Sequence, residues 1–307
     1  MAELRLQGVL PAPVTPFDTK GEVDEQALRR HLRDLLAVKG ITGLVPNADA
    51  GEGKSLTLEE RKHVIHICVE EAQGRVPVIA GINADSASKA VECALDAKAA
   101  GASAILLSPP SQWLIGWSPE APYAFVRAVA QGAGIPIIIF QYALWMGKAS
   151  YDPETLARLV TIEGVAGVKD TVWEVKRYEE DYRAVKAAAP HVAMLSACDE
   201  HLFHTYLVGA DGTLVVYAAL VPELIVELFE ACQKSEFQRA KAIHDRLWPV
   251  AQAVFSVPPQ SNWLPRIKEC LVLMGRLESA AVRSPLLPAS EGERKMLRKA
   301  LQSAALV

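Results

Sequence analysis

One lysine ends an otherwise apolar segment near the middle of the chain. Lys169 directly follows the run from Gly164 to Val168, although lysine is among the residues least often fully buried. Burial would lower the pKa of its amine, and a neutral amine can attack a carbonyl carbon to form a Schiff base. A lysine at the end of a strand can equally extend its amine into solvent or pair with the adjacent Asp170. The run by itself leaves both interpretations open.

A second candidate is a loop that nearly matches a phosphate-binding motif. Residues 48–55 follow the pattern G-x-x-x-x-G-K-[ST], except that alanine replaces the first glycine. A capping box that starts at Thr57 predicts that the next helix begins after Lys54 and Ser55. In a phosphate loop those two residues already belong to the helix N-terminus that holds the phosphate. A nucleotide-dependent enzyme that uses Gly53, Lys54 and Ser55 is therefore only an alternative.

Eight short apolar runs alternate with amphipathic stretches of helical length. Their continuous apolar character is typical of parallel strands that are covered on both faces. Eight βα units favour a TIM (β/α)₈ barrel over a doubly wound sheet, and the dinucleotide loop G-x-G-x-x-G is missing after the first run. The runs cover residues 9–14, 41–47, 76–82, 102–108, 135–140, 165–170, 192–196 and 213–216.

The pattern changes after about residue 234, where three helices with no strand between them are predicted over 236–255, 263–275 and 291–304. We therefore predict an α/β barrel domain over residues 1–233 and a C-terminal three-helix extension over 234–307. Active sites of TIM barrels lie at the carboxyl ends of the strands. The polar residues that end or follow the runs there are Thr15, Asn47, Asp49, Asn83, Asp85, Ser108, Gln141, Tyr142, Lys169, Asp170, Ser196, Asp199, His201 and Tyr217.

Composition and charge exclude several classes of protein. The 307 residues carry a net charge of −4, so there is no basic excess of the kind that a nucleic-acid partner requires. No apolar stretch approaches the ~20 residues of a membrane span, and the N-terminal residues lack the pattern of a signal peptide. The five cysteines include no CxxC pair and the histidines form no metal set. We expect reduced thiols, no metal and a cytoplasmic protein.

Four segments together resemble the dihydrodipicolinate synthase / N-acetylneuraminate lyase family, the Schiff-base aldolases of class I. They are Gly8–Phe17 (GVLPAPVTPF), Gly43–Glu52 (GLVPNADAGE) followed by LTxxER, Gly164–Thr171 (GVAGVKDT) and Gly209–Val216 (GADGTLVV). The resemblance covers nearly the whole chain, including the three-helix tail. It implies that Lys169 is the Schiff-base lysine, that the protein is a homotetramer and that no cofactor is needed.

The chain departs from the family where relatives usually bind the substrate carboxylate and move protons. Asp49 and Ala50 replace two hydroxyl residues, and an ionised Asp49 would repel a carboxylate. Phe140 and Gln141 replace a Tyr-Asn pair at the end of the fifth run, and the usual arginine is replaced near Trp145. The tyrosine that relatives carry in the loop after the fourth run is also missing. The substrate-binding residues that the resemblance assigns are Asp49, Ala50, Phe140, Gln141 and Leu214.

Tyr142 is a candidate replacement for the missing tyrosine. It lies two residues beyond Phe140, and side chains on a strand repeat every two residues, so both can face the same side. We predict that Tyr142 takes part of the acid/base role; the alternative is an aromatic residue that packs a loop. Three tryptophans lie in the loops after the fourth and fifth runs, namely Trp113, Trp117 and Trp145. Each could form part of a pocket wall or could pack under its loop.

The resemblance and the residues together predict a lyase. Lys169 would form a Schiff base with the carbonyl of a small 2-oxo acid or related compound, and the protonated imine would then promote aldol cleavage or dehydration. Because the family's arginine and tyrosines are missing, neither dihydrodipicolinate synthesis nor sialic acid cleavage is expected. The missing residues also leave open a non-catalytic relative that binds a ligand without turnover.

Overall fold

Seven short strands form one parallel sheet. The computed structural model describes Leu4 and residues 6–307 of the chain. The strands are β1 (Gly8–Pro11), β2 (Ile79–Ile82), β3 (Ala104–Leu107), β4 (Ile137–Gln141), β5 (Val165–Asp170), β6 (Ala193–Ser196) and β7 (Gly212–Val215). Their order is β1-β7-β6-β5-β4-β3-β2, and each neighbouring pair is parallel. Side chains on both faces of β2, β3 and β4 are buried, which explains why these runs are continuously apolar.

The prediction of eight strands needs one correction, because the second apolar run, residues 41–47, is not a regular strand. It makes single parallel bridges from Ile41 to Val9 and from Leu44 to Val78. Pro46 has no N–H to donate, and this interrupts the ladder. The segment nevertheless hydrogen-bonds towards β1 on one side and β2 on the other, so it closes the sheet. The predicted fold class, a TIM-like α/β barrel, is confirmed.

Helices follow the strands as the sequence predicts. They are α1 (Glu25–Ala37), α2 (Leu58–Ala72), α3 (Ala87–Ala99), α4 (Ala121–Ala133), α5 (Pro153–Leu159), α6 (Val175–Ala188), α7 (Leu202–Val208), α8 (Tyr217–Leu220) and α9 (Pro222–Gln233). The capping box at α2 is present: the Thr57 side chain accepts from the N–H of Glu60, and the Glu60 carboxylate accepts from the N–H of Thr57. The start of α2 after Lys54 and Ser55 is thereby fixed.

Three helices form the C-terminal extension, which confirms the prediction for this region. They are α10 (Phe237–Ala251), α11 (Trp263–Leu273) and α12 (Glu291–Ser303). A π-helical turn, Gln252–Ser256, continues α10. The capping box of α12 starts at Ser290. The division of the chain into residues 1–233 and 234–307 stays a prediction.

A buried ion pair joins this extension to the loop that precedes α2. The Lys268 Nζ lies 2.5 Å from Glu52 Oε1, and the two side chains are 0% and 2% exposed. The same amine donates to the carbonyl oxygens of Thr15 and Ala281, each at 2.8 Å. The second Glu52 oxygen accepts from the backbone N–H of Arg283 at 2.9 Å. The extension therefore anchors the loop that carries the polar residues after the second run.

Three further properties concern the setting of the protein. None of the helices among residue 4 and residues 6–307 is both long and apolar enough to cross a membrane. All five cysteines are buried free thiols. Within the same part of the chain, no group of three or more His, Cys, Asp or Glu side chains is placed to hold a metal ion.

Candidate active site

Lys169 lies near the carboxyl end of β5, in register with Phe140 on β4 and Leu195 on β6. Its side chain is buried, and its Nζ lies 3.8 Å from the centroid of the Phe140 ring. Burial lowers the pKa of this amine to about 8, and the negative charges of Asp49 and Asp199 only partly oppose that shift. A large fraction of the amine is therefore neutral near pH 8.

The alternative interpretation of Lys169, an amine that extends into solvent or pairs with Asp170, does not agree with the direction of its side chain. Its neighbour Asp170 faces the other side of the strand, where burial and the Asp181 carboxylate raise its pKa. Successive side chains on a strand point to opposite faces. Lys169 instead faces a cavity of about 170 Å³. The predicted site residues that line this cavity are Asp49, Ala50, Phe140, Tyr142, Lys169 and Leu214.

Gln141 is the exception among the predicted site residues. Its side chain is fully buried on the opposite face of β4 from Phe140 and Tyr142. Its amide nitrogen donates to the carbonyl oxygen of Tyr151 at 2.7 Å and to Asp181 at 3.1 Å, and its amide oxygen accepts from the N–H of Tyr151. The prediction that Gln141 binds substrate is therefore wrong, because all of these contacts hold it away from the cavity.

Asp49 does not present an unpaired carboxylate to the cavity. Its Oδ1 lies 3.1 Å from Lys54 Nζ, and the same amine donates to the Tyr142 hydroxyl at 3.3 Å. The expected repulsion of a substrate carboxylate is thus offset by a neighbouring positive charge. Lys54, Asp49 and Tyr142 form one polar group at the side of the cavity, which we call the Asp–Lys–Tyr group.

The same contacts disfavour the nucleotide alternative. In a phosphate loop the lysine reaches the phosphates from a helix N-terminus. Here Lys54 pairs with Asp49 and Tyr142, and α2 begins only at Leu58. Residues 49–51 form a short 3₁₀ turn instead of an open cradle of backbone N–H groups.

Tyr142 lines the cavity as the two-residue spacing predicts. Its ring packs edge-on against Phe140 with a centroid distance of 4.6 Å, and both residues line the cavity with Lys169. Burial raises the pKa of the Tyr142 phenol, although the Lys54 amine opposes that shift. The phenol therefore stays protonated at neutral pH and can donate a proton.

Asp199 is a site residue that the sequence did not single out. It follows β6, lines the cavity, and accepts a hydrogen bond from the backbone N–H of Tyr217 at 3.0 Å. Burial raises the pKa of this carboxyl group to about 7, against the opposing effects of the Tyr217 N–H and the Lys169 charge. The only feature of the sequence that points to Asp199 is its position after the seventh apolar run. A carboxyl group with this pKa can give or take a proton near neutral pH.

Aromatic side chains form another part of the cavity wall. Of the three tryptophans that the sequence left open, Trp145 lines the cavity. Trp113 instead packs against Phe125, with a centroid distance of 5.5 Å. Trp117 donates to the carbonyl oxygen of Lys148 at 2.5 Å. Three aromatic residues that were not predicted also line the cavity, namely Trp173, Phe255 and Trp263.

Fold and cavity together define a class I aldolase-type lyase, an enzyme that works through a buried lysine amine at the carboxyl end of a barrel strand. The model of the dihydrodipicolinate synthetase family matches residues 5–304. The chain belongs to this family, which confirms the resemblance seen in the sequence.

Individual relatives agree over the full length of the chain. A 4-hydroxy-tetrahydrodipicolinate synthase of Nitrobacter hamburgensis is 35% identical over 306 residues, covering 100% of this chain and 99% of the relative. A synthase of the same name from Rhodopseudomonas palustris is 34% identical, covering 98% and 97%. A prophage protein of the dihydrodipicolinic acid synthase family from E. coli K12, solved in complex with pyruvate, superimposes with a TM-score of 0.91 at 27% identity, covering 99% and 100%.

Proposed function

We propose that Lys169 forms a Schiff base with the carbonyl carbon of a small 2-oxo acid, pyruvate being the simplest. The observation that carries this proposal is the buried amine, with a pKa of about 8, that faces the cavity. The neutral amine attacks the carbonyl, water leaves, and the protonated imine withdraws electrons from the adjacent carbon. A neighbouring C–C or C–O bond can then break or form. The pyruvate complex of the E. coli relative supports this choice of ligand.

The cavity offers two groups for proton transfer. We assign part of the acid/base role to Tyr142, supported by the Lys54 amine, and name Asp199 as the second candidate because its pKa is about 7. Bound substrate would lie against Asp49, Ala50, Phe140 and Leu214, which line the same cavity. The buried apolar members of that set exclude water from the imine, which protects it from premature hydrolysis.

Trapping with borohydride tests the Schiff base directly. Pyruvate and borohydride are added to the protein together, and mass spectrometry locates the modified residue. We expect the adduct on Lys169, and we expect its rate of formation to rise with pH up to about 8 and then level off. The rate rises with pH because only the neutral amine attacks, and the neutral fraction grows until the pH passes the lowered pKa of Lys169. An unmodified protein after treatment with a panel of 2-oxo acids would refute the proposal.

Tyr142→Phe removes a single hydroxyl and keeps the ring. We expect the pyruvate adduct to form as before, while exchange of the pyruvate methyl hydrogens with D₂O slows by about 10²-fold to 10⁴-fold, the usual contribution of a general acid or base. Proton NMR measures this exchange without any second substrate. Tyr123→Phe, on α4 and outside the cavity, is the matched control. Equal exchange rates in the two variants would show that Tyr142 only packs the site.

The exchange assay also separates a lyase from a relative that only binds. A binding protein would form the adduct but leave the methyl hydrogens of pyruvate in place, because exchange requires the imine to lose a proton. Wild-type exchange above the rate in solution therefore supports turnover.

We also propose a homotetramer in a reducing, cytoplasmic compartment. Leu114 and Ile115 support association, because their side chains are 43% and 94% exposed on one short 3₁₀ segment, Ser111–Ile115. Large exposed apolar groups of this kind often mark contacts between subunits. The five buried free thiols support a reducing compartment. Sedimentation of the wild type and of Ile115→Lys checks the association, and identical monomers in both samples would contradict it.

A further inference from the structure

We propose that the substrate carries an aromatic ring next to the bond that breaks, so that the enzyme joins pyruvate to an aromatic aldehyde or separates the two. This inference rests on the Schiff base at Lys169 and specifies the second half of the substrate. It is carried by four aromatic side chains, by the strained backbone that holds one of them, and by the charges of the cavity.

Four rings line the same cavity as the Lys169 amine: Trp145, Trp173, Phe255 and Trp263. The centroids of Trp145 and Trp173 are 5.4 Å apart, and those of Trp173 and Phe255 are 6.1 Å apart. Aromatic rings attract one another at centroid distances of about 4.5–7 Å. A planar aromatic ligand that enters between Lys169 and these rings would therefore find edges and faces on which to pack.

Trp173 is held in an unusual backbone conformation. Its φ of +62° lies in the left-handed region, which a bulky residue rarely adopts. Its indole Nε1 donates to Glu200 Oε2 at 2.6 Å, and Gln252 and Ser256 donate to the other oxygen of that carboxylate. Trp173 is half-buried: it packs against the hydrophobic core and also lines the cavity, so this support serves both contacts. It fixes an indole at the cavity wall.

The charges of the cavity argue against a second anionic group. The charged side chains that line it are one amine, Lys169, and two carboxyl groups, Asp49 and Asp199. Among the residues that the structure describes, no arginine lines this cavity. The nearby Lys54 is already paired with Asp49. Among the described residues that line the cavity, an aldehyde that carries a carboxylate or phosphate would meet no cation besides the reacting Lys169, whereas a neutral ring has several aromatic partners.

The reaction balances without an oxidant or reductant. In the cleavage direction, the imine forms on the 2-oxo carbon of a 4-aryl-4-hydroxy-2-oxo acid with loss of water. The C3–C4 bond then breaks, its electron pair passes to C3 to give an enamine, and the C4 hydroxyl loses its proton to a base, which releases the aromatic aldehyde. The enamine takes a proton at C3. Water finally hydrolyses the imine, releasing pyruvate and the Lys169 amine.

The aldehyde preference of the wild type tests this inference. The protein is incubated with pyruvate and benzaldehyde, glyceraldehyde or succinic semialdehyde, and NMR follows the loss of pyruvate. We expect kcat/KM for benzaldehyde to exceed the other two by at least about tenfold, as expected from two or more ring contacts. Equal or higher kcat/KM for either other aldehyde would overturn the inference.

Two tryptophan variants provide the matched comparison. Trp145 and Trp248 are both exposed, at 57% and 42%, but only Trp145 lines the cavity. We expect Trp145→Leu to raise KM for benzaldehyde by about threefold to tenfold, and Trp248→Leu to leave it unchanged. Equal KM values in the two variants would also overturn the inference. The pyruvate adduct of the wild type is measured in parallel, and its absence would mean that the Schiff-base proposal itself has failed.

Discussion

Replacing Lys169 with methionine is expected to abolish the pyruvate adduct and to slow hydrogen exchange into pyruvate by about 10⁴-fold or more, as loss of a nucleophile does in other enzymes. Methionine has an unbranched apolar side chain of similar length and lacks the amine that lies over the Phe140 ring. The variant should fold, because the Lys169 side chain is buried and the substitution removes a polar group that burial disfavours. Loss of activity would then report chemistry and not unfolding.

Lys176→Met is the control for this experiment. Lys176 lies on α6, the helix that follows the same strand, and its side chain is 86% exposed. We expect that variant to match the wild type in adduct and in exchange. If Lys169→Met still forms an adduct, mass spectrometry will locate it. An adduct on Lys54 would move the Schiff base to the Asp–Lys–Tyr group and refute the role of Lys169.

Replacing Lys268 with methionine is expected to lower the free energy of unfolding by about 3–5 kcal/mol, the usual cost of leaving one partner of a buried ion pair alone. The Glu52 carboxylate would keep the N–H of Arg283 but lose its opposite charge. Because Glu52 directly follows the 3₁₀ turn that contains Asp49 and Ala50, we also expect weaker pyruvate binding. Urea unfolding at one fixed protein concentration measures the first effect, and the concentration dependence of trapping measures the second.

Two comparisons make the Lys268 prediction specific. The double variant Glu52→Gln/Lys268→Met should recover part of the lost stability, since it leaves no buried charge unpaired. Lys241→Met removes an exposed ion pair with Asp245 and should cost at most about 1 kcal/mol. If Lys268→Met costs no more than Lys241→Met, the buried pair does not stabilise the loop.

The fold was predictable because its main signal is hydrophobic and local. Apolar runs, helix caps and breaks specify the strands and helices, and Lys169 stands out against an apolar strand. The second run was the exception, because Pro46 interrupts its hydrogen bonds. The error at Gln141 was avoidable. If Phe140 and Tyr142 face the cavity, the residue between them must face away.

The rest of the site depends on contacts that local patterns do not contain. The pairing of Lys54 with Asp49 depends on the 3₁₀ turn at residues 49–51. The raised pKa of Asp199 comes from burial by surrounding elements. Trp173 reaches the cavity through a left-handed backbone conformation that its residue type disfavours. These features require the assembled tertiary structure.

The contacts of Glu52 with Lys268 and Arg283 affect the order in which the parts of the site form in a newly synthesised chain. Glu52 leaves the ribosome 216 residues before Lys268 and 231 residues before Arg283. At synthesis rates of about 5–20 residues per second, the carboxylate waits roughly 10–45 s for its partners. During that interval the strand that carries Lys169 is completed, but the loop that carries Asp49 and Lys54 lacks the contacts of Glu52 with Lys268 and Arg283. Under the proposed function, the Lys169 amine is therefore in place before the loop with Asp49 is fully fixed, and the last quarter of the chain completes the site.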